Sequence, residues 1–181
     1  MDFVGKYGLR SARFGEGDIS YLSVVTGRSL ESLRLPYDIG ITEKKHVYSV
    51  RARKYLGYAD TFTFRLDEKT RRAGDVISLL PYRVEGLAIE SERTVRAGDA
   101  LQCTVRILPA EAQKRRHVVT VRVLDPEGND LRWYRHSVET KDGAARISVG
   151  IAANDPPGNW TLRLTDAASG TRKDIPFEVT R

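Results

Sequence analysis

The sequence predicts an all-β protein built as two consecutive antiparallel β-sandwich domains. Two observations predict it. Apolar and polar residues alternate with period two along most of the 181 residues, and Gly, Pro and Asp clusters punctuate the runs at short intervals. In addition, no segment carries a 3.6-residue apolar stripe with a helix-capping signal. Hydrophobic residues make up 40% of the chain, enough for packed cores, and charged residues 30%, enough for a solvated surface.

The first strands follow from alternation. Asp18–Thr26 and Ser32–Tyr37 read as strands, and His46–Arg51 as a third. Thr61–Leu66 alternates cleanly, placing Phe62, Phe64 and Leu66 on one face. Asp75–Tyr82 carries an apolar run that implies burial on both faces or a strand end. Turns are expected at Gly15–Gly17, Gly27, Gly57 and Gly74, and the polar stretch Asp67–Gly74 reads as a loop.

A boundary falls at Pro81–Gly86, giving domains 1–84 and 85–181. Pro81 stops a strand because it has no N–H to donate, and Gly86 frees the backbone. The joint is short and carries Tyr82 and Val84, so a packed seam is expected rather than a tether. Seven strands follow: Leu87–Ser91, Ala100–Leu108, His117–Leu124, Trp133–Val138, Ala145–Ile151, Trp160–Thr165 and Lys173–Val179. Asp125-Pro-Glu-Gly is a turn in which Pro126 presets φ and Gly128 accepts a positive one. This count and spacing are those of a Greek-key, immunoglobulin-like sandwich, although the paired cysteines of antibody domains are absent.

Charge and special residues narrow the function classes. The net charge is +6, but it is spread: residues 1–84 hold 15 Lys and Arg against 10 Asp and Glu, and residues 85–181 hold 15 against 14. The densest basic runs, Arg71-Arg72 and Lys114-Arg115-Arg116, fall in expected loops and read as solvated surface, so no nucleic-acid partner is expected. No apolar run approaches the roughly 18 residues of a membrane span, and no signal peptide is visible. A cytoplasmic location is expected, or a secreted one if the chain is part of a longer precursor. Cys103 is the only cysteine and alternates onto a buried strand face, as a small hydrophobe would.

The three histidines, His46, His117 and His136, share no metal-ligand spacing and read as loop or strand-surface residues. The carboxylates Asp18, Asp38, Asp60, Asp99, Asp125 and Asp155 are read as turn residues. The Asp125–Asp130 loop offers hard oxygen ligands for calcium, with a plain hairpin turn as the rival reading. No cofactor is expected. Aromatic residues are the best surface candidates, because sugar rings stack their C–H faces on exposed Trp or Tyr. Trp133 and Tyr134 are adjacent in an expected strand and so point to opposite faces, while Tyr55 and Tyr58 flank Gly57. These four are the candidate carbohydrate platform. The rival reading puts Trp133 and Trp160 in the core and the tyrosines at the domain seam.

Two resemblances extend this reading. Val47-Tyr-Ser-Val-Arg, Lys54-Tyr-Leu-Gly and Leu79-Leu-Pro-Tyr resemble, in order, the β-domain that follows the catalytic barrel in β-galactosidase-like bacterial glycoside hydrolases, with Ser49 where Asp is common. That resemblance covers residues 10–84. Val95–Ile107, Val121–Asn129 and Pro157–Asp166 resemble the core strands of macroglobulin-like and fibronectin-like sandwiches, covering residues 87–181. The first resemblance implies an accessory region without a catalytic site of its own. Its implied partners are a catalytic glycoside hydrolase domain, or a second copy of the chain, and carbohydrate as a further ligand. A free-standing adaptor using an apolar sheet edge such as Ala145–Ile151 is the third expectation.

Overall fold

The computed structural model describes residues 3–4, 9–14, 19–26, 37–64 and 74–181. The expected strand at Ser32–Tyr37, the loop at Asp67–Gly74, the turns at Gly15–Gly17 and Gly27, and Arg71-Arg72 and Asp18 fall wholly or largely outside those residues. So does the shared face of Phe62, Phe64 and Leu66. Among the described residues there is no α-helix, and the protein is all-β. The chain divides into two units, Met1–Arg83 with Ala168–Gly170, and Val84–Ala167 with Thr171–Arg181.

In the first unit the strands are β1 (Phe3–Val4), β2 (Leu9–Phe14), β3 (Ser20–Thr26), β4 (Tyr37–Ser49), β5 (Lys54–Phe64) and β6 (Asp75–Leu80). They form a six-stranded sheet in the order β1-β2-β3-β6-β4-β5, antiparallel at every joint. The apolar run in β6 does mean burial on both faces: Ile77 and Leu79 on one side and Ser78 and Leu80 on the other are all buried. The strand then stops at Leu80, directly before Pro81.

The separate strands read at His46–Arg51 and Thr61–Leu66 belong to one long hairpin of β4 and β5. Its turn, residues 50–53, is organised by a side-chain node. The Ser49 hydroxyl donates to Asp75 Oδ2 at 2.5 Å and accepts the Ala52 N–H at 3.1 Å. The Arg51 N–H reaches Asp75 Oδ1 at 3.1 Å. Ser49 and the Asp75 carboxylate of β6 thus supply the acceptors for the turn's N–H groups.

Gly57 does not make a turn. It lies in β5 at a bulge, where Val47 opposes Gly57, Tyr48 opposes Tyr55, and Leu56 is the extra residue. Its φ of +131° is open to glycine and strained for other residues. Asp38 and Asp60 likewise fall within β4 and β5 rather than in turns, because the hairpin runs further than local alternation shows.

The second unit is a two-sheet sandwich. Its strands are β7 (Gly86–Ser91), β8 (Thr94–Arg96), β9 (Ala100–Leu108), β10 (Val118–Leu124), β11 (His136–Glu139), β12 (Ala145–Gly150), β13 (Gly158–Asp166) and β14 (Arg172–Thr180). One sheet runs β11-β10-β13-β14-β8 and the other β12-β9-β7. All pairings are antiparallel except β8 with β14. The three-residue β8 has no alternation to betray it in sequence. It carries the chain from one sheet to the other.

Alternation sets the sandwich core. Leu101, Cys103, Val105 and Ile107 of β9 are buried, as are Val119, Val121 and Val123 of β10 and Trp160, Leu162 and Leu164 of β13. Trp160 is 1% exposed, and its indole N–H donates to the Pro156 carbonyl at 3.0 Å. Pro176 sits in β14 before its pairing with β8 begins at Glu178, where a missing N–H breaks no ladder on that side. At the sheet edge, β12 turns Ala145, Ile147 and Val149 inward and exposes Arg146, Ser148 and Gly150.

Two further expectations change. Residues Arg132–Tyr134 form a 3-10 turn, not the start of a strand, and β11 begins only at His136. In such a turn successive side chains diverge by about 120°, so Tyr134 turns inward while Trp133 is 72% exposed. Trp160 fills the core and Trp133 does not. His117, expected on the surface, is buried: its Nδ1 lies 2.7 Å from Asp166 Oδ1, and both side chains are fully enclosed. A polar side chain can be buried here because its hydrogen bond is supplied by the end of β13.

Candidate binding surface

The β4–β5 hairpin gathers aromatic rings on one face. His46 and Tyr48 are two residues apart and so share a face, with Tyr58 directly opposite His46 and Tyr55 opposite Tyr48. In a regular strand Tyr55 and Tyr58, three residues apart, would point to opposite faces. The extra residue of the bulge shifts the alternation by one and brings both to the same side.

The ring contacts follow. The His46 ring centroid lies 4.7 Å from that of Tyr58 and 5.8 Å from that of Tyr55, and Tyr48 lies 4.9 Å from Tyr55. The Arg83 guanidinium sits over the Tyr55 ring at 5.1 Å. Tyr48 is buried and forms the base, Tyr55 is half-buried, and Tyr58 is 58% exposed.

The electrostatics favour a neutral imidazole. Burial, and then the nearby Arg83 charge, hold His46 below the ordinary histidine value. Its Nδ1 is hydrogen-bonded to the Tyr55 hydroxyl at 2.8 Å. The hydroxyl–imidazole bond orients Tyr55, leaving the Tyr58 ring as the exposed surface. Such an arrangement can receive an apolar ring face and offers Arg83 for a polar or anionic substituent.

Trp133 and Tyr134 behave differently from each other. Their rings are 6.2 Å apart and inclined at 52°, so they form no common plane. Tyr134 is held inward: its hydroxyl donates to Asp155, accepts the Ala152 N–H at 3.0 Å, and its ring meets Trp160 edge-on at 6.4 Å. Tyr134 therefore presents no ring face to solvent, and Trp133 stands there alone.

The expected platform residues thus divide. Tyr55 and Tyr58 come together with His46, Tyr48 and Arg83, three residues that sequence reasoning left out. The alternation of His46 with Tyr48 was a usable signal for the first two, whereas nothing in the sequence pointed to Arg83.

Two of the loop carboxylates have side-chain or backbone partners inside the fold. Asp125 accepts the Asn129 N–H at 2.7 Å and its side-chain amide at 2.9 Å, and these bonds hold its carboxyl below the usual range. Asp130 is paired with Arg135 at 2.9 Å and Arg122 at 3.2 Å. The Asp125–Asp130 loop is a turn closed by the Asp125–Asn129 bonds, with Asp130 paired to two arginines.

No family model matches the sequence, and comparison with curated proteins gives no match. Among solved structures, the native conformation of E. coli alpha-2-macroglobulin is similar with a TM-score of 0.47 and 14% identity, over 94% of this chain and 12% of that one. Salmonella alpha-2-macroglobulin reacted with methylamine gives 0.44 and 14%, over 96% and 12%. A DUF4785 family protein from Legionella pneumophila gives 0.40 and 13%, over 97% and 65%. The chain therefore spans about one eighth of the macroglobulins' length. At these scores the fold rests on the strand pairing above and not on the neighbours. The β-galactosidase-like resemblance of residues 10–84 has no counterpart among the neighbours named here.

Proposed function

We propose that this chain is a non-catalytic accessory β-region that supports and orients a partner domain. The observation that carries the reading is the use made of its carboxylates. Asp75 ties the β4–β5 turn, Asp155 holds Tyr134, Asp166 holds His117, and Asp130 and Asp174 are paired with arginines. Glycoside hydrolysis needs two free carboxyls facing one another across roughly 5–10 Å, one with a raised pKa. Here Asp125, Asp130 and Asp174 are all shifted the other way. A glycoside hydrolase as the supported partner rests on the sequence resemblance of residues 10–84 alone. The test is turnover of a panel of aryl glycosides by the purified chain, with Asp75→Asn and Asp155→Asn alongside. The expected result is no turnover, and variants that lose thermal stability. Turnover that one of these substitutions abolishes without unfolding the protein overturns the proposal.

A second reading, carbohydrate binding, is favoured by the exposed Tyr58 ring beside the His46–Tyr55 pair. A glycan array of the chain with Tyr58→Ala and Trp133→Ala decides it. Binding lost in Tyr58→Ala places the platform on β5, loss in Trp133→Ala alone places it on the 3-10 turn, and no binding removes the reading.

A further inference from the structure

The aromatic face of the β4–β5 hairpin carries a cation whose hydrogen-bonding capacity the fold does not use. Arg83 is exposed, and its guanidinium stands over the Tyr55 ring at 5.1 Å. That contact engages the charge with the ring's π face and uses none of the five N–H donors. Among the described residues no carboxylate forms an ion pair with Arg83.

The charge at this end of the face has one sign. Arg51 and Arg53, both exposed, stand in the hairpin turn shortly before Tyr55. Asp75, behind that turn, is buried and already accepts from the Ser49 hydroxyl and the Arg51 N–H. The opposite end is mixed. Asp60, two residues past Tyr58 in β5, and Lys44, two before His46 in β4, are both exposed and of opposite sign. An anionic group is therefore drawn to the Arg83 end. A cationic ligand meets repulsion there, because Arg83 already covers the Tyr55 ring.

The spacing sets the size of the ligand. His46 and Tyr48 are two residues apart in β4, a rise of about 7 Å, and Tyr58 and Tyr55 stand opposite them. The open Tyr58 ring is thus displaced from the Arg83–Tyr55 pair by more than the width of one sugar ring. Tyr58, at 58% exposure, is the ring that can take a sugar face.

We infer that this face binds an acidic oligosaccharide, with one sugar ring stacked on Tyr58 and the uronate carboxylate of a linked sugar held by the Arg83 guanidinium. The inference rests on the carbohydrate reading and adds the charge of the ligand to it. An aryl carboxylate also joins a ring to a carboxylate, but it covers only one of the two positions.

The ¹⁵N-labelled full chain is titrated by NMR with trigalacturonate and a hyaluronan tetrasaccharide, with the methyl ester of each, and with phenylacetate. Arg83→Gln, Arg83→Lys, Tyr58→Ala and the charge-matched Lys54→Gln are titrated alongside. Saturable binding of at least one uronate is expected, with shifts centred on residues 46–58 and 83. Affinity should fall by about tenfold or more on esterification and in Arg83→Gln, and by less than about threefold in Lys54→Gln. Arg83→Lys should recover only part of the loss, since an ammonium cannot make two parallel bonds to one carboxylate. Tyr58→Ala should weaken acid and ester alike.

Esters that bind as tightly as the acids overturn the inference and leave the carbohydrate reading standing. Saturable binding of neither uronate overturns the inference, and a glycan array without hits removes the carbohydrate reading as well. Phenylacetate binding more tightly than both uronates also overturns it, as does equal weakening in Arg83→Gln and Lys54→Gln. If Tyr58→Ala fails to fold, the comparison of acid with ester on the wild-type chain decides.

Discussion

His46 is held neutral by two causes of unequal size, burial first and Arg83 second. A histidine whose folded value lies below its unfolded value of about 6.5 favours the native state above that pH, and the contribution is lost as pH falls through the folded value. The ring should therefore titrate below the ordinary range when followed by its Cε1 proton shift. Arg83→Gln should raise the midpoint only part of the way, because burial remains. A midpoint at or above the ordinary value in the native protein would show that the imidazole is not enclosed as described. Cys103 gives a second test at this scale. Burial pushes its thiol up to about 11, against a smaller opposing effect of the Ser91 hydroxyl. At pH 8 it should resist iodoacetamide in the native protein and react fully in denaturant. Rapid native alkylation would place the thiol at the surface.

At the scale of elements, the β4–β5 bulge is what turns two tyrosines of opposite parity into one surface. Gly57 makes it possible through its backbone and not through space, since a Cβ there meets nothing within 4 Å. Gly57→Ala should cost about 1–2 kcal/mol from the unfavourable φ alone. Gly40 in β4 also has open space but no positive φ, so Gly40→Ala should be neutral or slightly stabilising. Urea midpoints of the two variants check this, and equal effects would mean that the bulge does not depend on glycine. The 3-10 turn at Arg132–Tyr134 acts in the same way, rotating Trp133 to solvent while Tyr134 is tied to Ala152 and Asp155.

For the molecule as a whole, acid stability should follow its arginine–carboxylate pairs. Arg163 binds both oxygens of Asp174, at 3.0 and 2.8 Å, and Arg135 and Arg122 flank Asp130. Hydrogen bonds from Arg163 and from Arg135 are the largest causes that hold the two carboxyls below their usual value. A depressed carboxyl favours the native state above its unfolded value of about 3.9, and that contribution disappears as pH falls through the folded value. The urea midpoint should thus drop between roughly pH 5 and pH 2, and Asp130→Asn/Asp174→Asn should flatten the drop. An unchanged slope in the double variant would assign acid sensitivity to other groups. Because these pairs are partly exposed, added salt should weaken the effect.

Much of this protein was legible without coordinates. Period-two alternation located β9, β10, β12, β13 and β14, and Asp125-Pro-Glu-Gly marked its turn, because both signals depend only on residues a few positions apart. The all-β class and the buried Trp160 follow from the same local rule. What alternation could not carry is anything that shifts its phase or joins distant segments. The Leu56–Gly57 bulge resets which tyrosines face together, and the 3-10 turn separates Trp133 from Tyr134. His117 is buried only because Asp166, on another strand, supplies its hydrogen bond. Arg83 stands far from Tyr55 in sequence and meets its ring only in the folded unit. Local periodicity determined most of the sandwich strands and their core side chains. Tertiary pairing alone decided which surface residues meet, since register and charge proximity are properties of the folded sheet.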